Sequence, residues 1–235
     1  MKISLYGVPG SVAGKRPLKD PRLDTAHKLV EADKKAYALV DALGDDGLAD
    51  ADAIVATADS ALDLILQDLE FVEVRLGRGA ADAEKAVLQR MQIDLEAGRC
   101  LSACEYAAAD WEAANASGLI TRKPVVVASA DEVTQPDALL LRAVAAAGWI
   151  SFLTVGGKEN RAWLLRQGTT AWDAGGAIHT DIQKGFIRAE IIGWADFVAA
   201  GGETQAKRAG KLRLETKQYV MQDYDLVNFR FNKSG

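Results

Sequence analysis

Pro124-Val125-Val126-Val127-Ala128 is an unbroken β-branched run with no polar alternation. A strand wet on one face alternates apolar with polar; a strand covered on both faces does not. The run therefore reads as one strand inside a parallel sheet. Working toward the N-terminus, three further short runs fit the same sheet: Lys2 to Gly7, ending in a Gly/Pro turn, Ala36 to Val40, and Asp52 to Thr57. Helical pattern lies between them, as at Leu23 to Ala32. Strands alternating with helices predict an α/β topology for this half of the chain.

Between Thr57 and Pro124 the pattern changes to two helices. Leu62, Ile65, Leu66, Leu69, Val72 and Leu76 recur at three- and four-residue steps and read as one core-facing stripe. Asp59 or Ser60 can cap its start, and Gly77-Arg78-Gly79 ends it. Ala83, Val87, Met91 and Leu95 mark a second helix closed by Gly98. A tight Gly turn between two helices predicts an antiparallel hairpin, with a docking surface on its outer face as the alternative use of the stripe. A further helix is predicted over Asp137 to Ala147, ended by Gly148.

Beyond Gly148 the runs turn strand-like: Ile150–Val155, Arg161–Arg166, Phe186–Ile192, Lys211–Glu215, Tyr219–Met221 and Leu226–Phe231. Several alternate, as in a sheet with one wet face, and two helical patches interrupt them near 195–199 and 203–209. This predicts a compact α+β module over 150–235, a helical insertion over 59–112, and a first domain made of 1–58 and 113–149.

The chain has 235 residues, 49% hydrophobic and 26% charged, with 21 Gly and 5 Pro, which excludes disordered, collagen-like and disulfide-scaffold classes. Residues 150–235 carry 12 Lys and Arg against 9 Asp and Glu, a net of +3, which leaves residues 1–149 at −8 of the overall −5. Only the back half is a plausible partner for nucleic-acid phosphates. Cys100 and Cys104 lack the companions a zinc set needs, so no metal is expected. No run approaches a membrane span of ~18 apolar residues, and MKISLYGVPG does not read as a signal peptide. A cytoplasmic protein with no membrane partner is expected.

The run His179-Thr-Asp-Ile-Gln-Lys-Gly-Phe-Ile-Arg-Ala-Glu190 resembles the C-terminal TGS domain (DUF933-type) of the YchF branch of the Obg-like ATPases, relatives of the TRAFAC P-loop GTPases. So do Lys158–Trp163, Gly201–Glu203, Ala206–Lys211 and Gln222–Phe231, which together span the module. The resemblance implies a ubiquitin-like β-grasp fold and an association with ribosomes or RNA. In the front half, Asp20-Pro-Arg-Leu-Asp24 resembles the segment before the family's Walker B strand, and Val40-Asp41-Ala-Leu-Gly44 its DxxG motif. Leu66 to Leu76 resembles its helical arm and Gly118 to Ala128 the approach to its base-recognition motif. The family's typical chain is considerably longer. The implied fold is α/β, a reduced P-loop-type parallel sheet with an inserted helical hairpin, followed by the α+β β-grasp domain.

A phosphate loop needs G-x-x-x-x-G-K-[ST] between strand and helix, so that amides cradle phosphate oxygens, Lys reaches the outer phosphates and the hydroxyl holds Mg²⁺. Here Gly10-Ser-Val-Ala-Gly14-Lys15-Arg16 has three residues between its glycines, and Arg16 stands in the hydroxyl position. Counting from Gly7 the gap is six, and Pro17 and Pro21 oppose a helix. Ser129 replaces the Asn of the base motif, while Glu132 keeps its acidic residue. Gly7, Gly14, Lys15, Asp41, Gly44, Ser129 and Glu132 are thus relic nucleotide positions. No cofactor is expected, and Mg-ATP or Mg-GTP binds only if that relic site is competent.

The expectation is a pseudo-NTPase that binds ribosome, RNA or a protein through the β-grasp domain. Lys207, Arg208, Lys211, Arg213 and Lys217 form its densest basic cluster, which reads equally well as a solvated face. His179, Asp181 and Lys184 match the family motif; without a nucleophile, His179 and Asp181 suggest a loop-fixing bond, and Gly185 a tight turn. His27 carries no signal. Two alternatives stand beside this reading: a residual ATP or GTP hydrolase with a rearranged site, and a homo-oligomer formed through the exposed edges of a trimmed sheet.

Overall fold

The computed structural model describes residues 1–10, 12–79 and 81–232. Its strands are β1 (Lys2–Tyr6), β2 (Gly14–Pro17), β3 (Lys34–Ala36), β4 (Leu39–Leu43), β5 (Ala53–Thr57), β6 (Val125–Ala128), β7 (Trp149–Thr154), β8 (Glu159–Arg166), β9 (Phe186–Ile192), β10 (Arg213–Glu215) and β11 (Asp225–Phe231). Its helices are α1 (Pro21–Leu29), α2 (Ala58–Gly77), α3 (Asp82–Glu96), α4 (Ala108–Ala113), α5 (Ala130–Val133), α6 (Pro136–Ala146), α7 (Ala171–Ile178), α8 (Thr180–Lys184), α9 (Trp194–Ala200) and α10 (Glu203–Arg208). The chain divides into two compact units, 1–16 with 40–147 and 17–39 with 148–235.

The first unit carries a five-stranded sheet in the order β2-β4-β1-β5-β6. β4, β1, β5 and β6 run parallel, with Ile3 opposite Ala42 and Ala53, and Val55 opposite Val126. Ala53 to Ala56 are wholly buried, as a strand covered on both faces requires. The helix after β5 starts a few residues earlier than Asp59 or Ser60 would have it. Thr57 is its cap, with Oγ1 accepting from Ser60 N at 3.2 Å. The hairpin of α2 and α3 closes on Ile65, Val72, Val87, Leu88, Met91 and Leu95. Leu62 and Leu66, expected in that core, are instead 50% and 53% exposed. The apolar stripe of α2 is wider than one partner helix covers. A buried carboxylate, Asp68 on α2, anchors the hairpin to the approach to β6: it accepts from Ile120 N and Thr121 N, each at 2.7 Å, and from Thr121 Oγ1 at 2.6 Å. Burial raises its pKa, and these three bonds oppose the rise.

The second unit carries a six-stranded sheet in the order β10-β9-β11-β7-β8-β3. β7 and β8 form an antiparallel hairpin, β11 lies parallel to β7 and antiparallel to β9, and α7 and α8 lie between β8 and β9 in the chain. That is the β-grasp arrangement. Side chains alternate across the sheet: Phe152, Ile191, Val227 and Phe229 meet Ala171 and Ala174 of α7. On the other face Leu153, Ile192 and Leu226 meet Leu23 and Ala26 of α1, Phe197 of α9 and Ala206 of α10.

Residues 17–39, which the sequence places in the first domain, belong to this second unit. Only Leu23 and Ala26 of α1 are buried, a three-residue step that fills one narrow apolar face, and β3 pairs in parallel with the outer edge of β8. The single strand expected over 36–40 is two strands, β3 and β4, in different sheets. The strand expected over 219–221 is reduced to one bridge, Thr170 to Val220.

Candidate functional site

The relic nucleotide positions lie in the first unit. β1 runs into Gly7 at φ +61°, where an added Cβ would stand 1.9 Å from Ser60 Oγ, so backbone conformation and close approach both call for glycine. Gly7 N donates to Asp45 Oδ1 at 2.9 Å. Gly10 turns the chain again at φ +69°, and from Gly14 it enters β2, an edge strand, where a phosphate site would start a helix. Ser11 of the motif lies outside the described residues. Lys15 is exposed on β2. Arg16 donates from Nε and Nη2 to Val12 O at 3.2 and 2.8 Å. Beside this loop is a cavity of about 80 Å³ lined by Leu5, Val8, Val55, Leu139 and Leu140, with Arg16 at its rim.

Asp41 is not at that end of the sheet. It pairs with Lys2, at the start of β1, five residues before Gly7. At roughly 3.3 Å per residue Lys2 and Gly7 are about 16 Å apart. The carboxylate that does reach the loop is Asp45, after Gly44. Gly44 itself has an ordinary φ of −78°, and its carbonyl accepts from Ser4 Oγ at 3.2 Å. Ser129 and Glu132 lie just after β6 and cap α5. Ser129 Oγ accepts from Glu132 N at 3.3 Å, and Glu132 Oε2 accepts from Ser129 N at 2.9 Å. Arg142 pairs with the other Glu132 oxygen. The Ser129 amide and Arg142 hold the Glu132 carboxyl below the usual glutamate range. Gly7 thus opens a loop that ends where Gly14 and Lys15 begin β2, while Asp41 and the Ser129–Glu132 box are each engaged elsewhere.

In the β-grasp unit His179 caps α8: its Nδ1 accepts from Asp181 N at 3.1 Å, and Asp181 Oδ2 lies 3.4 Å away. Lys184 is exposed at the end of α8. Gly185 is required by close approach, not by its turn: φ is −88°, but an added Cβ would stand 2.0 Å from Asn232 O. Of the basic cluster, Lys207 pairs with Glu203 at 2.6 Å and Lys211 with Asp196 at 3.0 Å. Arg213 is held by Tyr219 Oη at 3.0 Å and faces Asp225 at 3.9 Å. Among the described residues, Arg208, Lys217, Lys184 and Arg188 have no acidic partner.

The sequence reading missed a polar knot that ties residues 17–39 into this unit. Asp20 caps α1, accepting from Arg22 N at 2.8 Å, and its buried carboxylate also takes Arg22 Nη2 at 2.7 Å. Arg22 Nη1 reaches Asp223 at 2.7 Å, and its guanidinium stacks 3.5 Å over the ring of Tyr224, which is wholly buried at φ +62°. Burial alone would lower the Arg22 pKa; Asp20 and Asp223 more than reverse that and hold it raised. The signal was present in Asp20-Pro21, an N-cap followed by proline at the first helical position.

A parallel sheet with an inserted helical hairpin, joined to a β-grasp unit, defines the class: the P-loop-type domain plus TGS arrangement. The solved YchF GTPase of Schizosaccharomyces pombe has this fold, with a TM-score of 0.72 at 18% identity, covering 98% of this chain and 97% of that one. Residues 149–232 match the family YchF-GTPase_C, described as "Protein of unknown function (DUF933)". The Ribosome-binding ATPase YchF of Haemophilus influenzae is 54% identical over 82 residues, 35% of this chain and 23% of that protein. Its Bacillus subtilis counterpart is 45% identical over 96 residues, 41% and 26% respectively. The back module, residues 149–232, is thus similar to the C-terminal domain of YchF proteins, and the whole chain shares the fold of the solved YchF GTPase. The matched stretch spans about a quarter of those curated relatives.

Proposed function

We propose that this chain is a pseudo-NTPase of the YchF type that associates with ribosomes, in the cytoplasm, through RNA contacts of its β-grasp unit. The observation that carries the first half is the course of the chain after Gly7, which enters strand β2 instead of a helix. A helix N-terminus would aim several amides at a triphosphate; here the Gly7 amide already serves Asp45, and the neighbouring cavity is walled by aliphatic side chains. These residues do not fit a magnesium triphosphate, so no hydrolytic step is derived through one. Micromolar nucleotide affinity is about −8 kcal/mol, and isolated neutral hydrogen bonds contribute roughly 0.5–1.5 kcal/mol each. Titration calorimetry with Mg-ATP and Mg-GTP is expected to find no binding tighter than millimolar. A dissociation constant below about 100 μM, near −5.5 kcal/mol, would restore the hydrolase reading.

The second half is supported by the relatives, which are named as ribosome-binding ATPases, and by the YchF-GTPase_C match over 149–232 of this unit. The exposed cations Lys184, Arg188, Arg208 and Lys217 give it electrostatic means. The pairs at Lys207 and Lys211 are surface pairs, each worth about 0–1 kcal/mol, so phosphates can compete for them. Co-sedimentation with ribosomes should weaken steadily with salt and fall on reversal of Arg208 and Lys217 to Glu. Binding insensitive to both would exclude RNA contacts of this unit.

A further inference from the structure

The outer face of α2 has the chemistry of a protein docking surface. Leu62, Leu66 and Val74 are 50%, 53% and 44% exposed, although they lie on a 20-residue helix whose opposite side is well packed. Around them stand Asp59, Asp63, Glu70 and Glu73, all exposed, and among the described residues none of the four has a cationic partner. At 3.6 residues per turn, these seven side chains fall within an arc of about 120°, with the two leucines one turn apart. The stretch from Asp59 to Val74 is about 22 Å long at 1.5 Å per residue. A shallow groove runs along one flank, lined by Gln67, Phe71, Val74 and Arg78.

Each component is ordinary alone; the combination narrows the occupant. Leu62 and Leu66, at i and i+4, favour a second helix laid along them. The unpaired carboxylates Asp59, Asp63 and Glu70 lie on one flank of that pair, between it and Val74, and favour cations on the incoming helix. RNA and anionic membrane surfaces meet four negative charges here, on a unit whose parent half carries −8 overall, and are repelled. A second copy of this chain would bring its own acidic stripe against the first.

We propose that the outer face of α2 docks a basic amphipathic helix of about four turns from a protein partner. The partner's apolar side chains would cover Leu62 and Leu66, and its Lys or Arg residues would pair with Asp59, Asp63, Glu70 and Glu73. This surface belongs to the first unit and the cations assigned to RNA belong to the second, so either reading can fail without the other.

The test uses the full chain and a fluorescent helical peptide of leucine and lysine, about 15 residues long, with its leucines on one face. Fluorescence anisotropy at low salt should give saturable one-to-one binding. L62Q/L66Q and, separately, D59K/D63K/E70K should each weaken it by about tenfold or more. A control reversal of three exposed acids elsewhere, E31K/D33K/D131K, should stay within about twofold. The substituted side chains are exposed, so single cooperative melts are expected, lowered slightly in D59K/D63K/E70K because Asp59 favours the first turn of α2, and these would confirm intact folds. Equal losses in test and control variants, an unaffected leucine variant, or no saturable binding by the wild-type chain would each overturn the proposal. So would light scattering that finds a dimer lost in L62Q/L66Q, since that would give the face to a second copy.

Discussion

The two units treat their charged residues in opposite ways. In the first, Lys15, Asp41, Ser129 and Glu132 match single letters of nucleotide motifs in the sequence, yet the fold scatters them over an exposed edge, the far end of β1 and a helix cap. In the second, Asp20 and Arg22 are some 200 residues from Asp223 and Tyr224, yet the fold brings all four into one knot. A motif read from spacing holds only if the backbone between its letters keeps its shape. A buried ion pair holds because leaving either partner alone in the interior is expensive.

Arg22→Ala breaks the second half of that comparison and is expected to have the largest effect. It strands the Asp20 carboxylate, whose side chain is 5% exposed, and uncovers the Tyr224 ring. Removing one partner of a fully buried pair costs roughly 3–5 kcal/mol; with Arg22 itself 38% exposed, a loss of about 2–3 kcal/mol is expected in urea unfolding. Trp194 lies 5.5 Å from Tyr224, edge to face, so its fluorescence should report the loss. Arg22→Lys should recover only part of it, because an ammonium cannot bridge Asp20 and Asp223 as a fork or stack flat on the ring. Full stability in Arg22→Ala would mean that the apolar contacts of Leu23 and Ala26 and the pairing of β3 with β8 suffice to hold residues 17–39 in place.

Gly185→Ala comes next. Its Cβ would meet a backbone oxygen, Asn232 O, at 2.0 Å, and backbone gives way less readily than a side-chain tip. Overpacking of this kind costs about 1–3 kcal/mol, and the same substitution at Gly157, where a Cβ meets nothing within 4 Å and φ is not positive, should cost little. Equal effects at the two positions, in thermal melts, would remove close approach as the reason for this glycine.

Much of the architecture was legible in the chain. Val125 to Val127 read as a strand covered on both faces inside a parallel sheet; they pair in parallel with β5, but β6 is the edge of that sheet and Val127 is 43% exposed, so an unbroken apolar run marked the strand and not its place in the sheet. The Gly turn after Leu76 read as a helical hairpin and closes one. What was not legible depends on partners far away in sequence. The three residues of β3 are too short and too polar to signal a strand, and they become one because the edge of β8 offers hydrogen bonds. Leu62 and Leu66 satisfy helical periodicity perfectly well, but periodicity cannot say how wide an arc the neighbouring helix covers. Asp45 was passed over because Asp41-Ala-Leu-Gly44 matched a four-letter pattern; the parallel register, Ser4 opposite Leu43, carries Asp45 rather than Asp41 to the loop.

Glu132→Gln probes the capping box through pH. The folded-state pKa of Glu132 lies below its ordinary value of 4.5, so the contribution of its ionised form is present above pH 4.5 and is lost as pH falls through the lower folded value. The variant should match the wild-type chain's response to acid less closely below pH 4.5, with a shallower decline in stability, and should change little at neutral pH apart from a weakened cap. Parallel acid-denaturation curves would mean that the Ser129 amide and Arg142 do not favour the charged form in solution.

Lys15→Ala sharpens the comparison from its quiet side. In a working phosphate loop the lysine meets the outer phosphates, and its loss removes nucleotide binding. Here Lys15 is an exposed residue on an edge strand, where charge serves chiefly to discourage pairing with another chain. Surface substitutions of this kind lie within about ±0.5 kcal/mol, so thermal stability and the calorimetric response to Mg-ATP should both match those of the wild-type chain. A nucleotide-dependent rise in melting temperature present in the wild-type chain and absent from Lys15→Ala would require the loop from Gly7 to Gly14 to rearrange around phosphate. The strand β2 would then be one of two states of this segment, and the first unit would share with the second a site assembled by packing rather than by spacing.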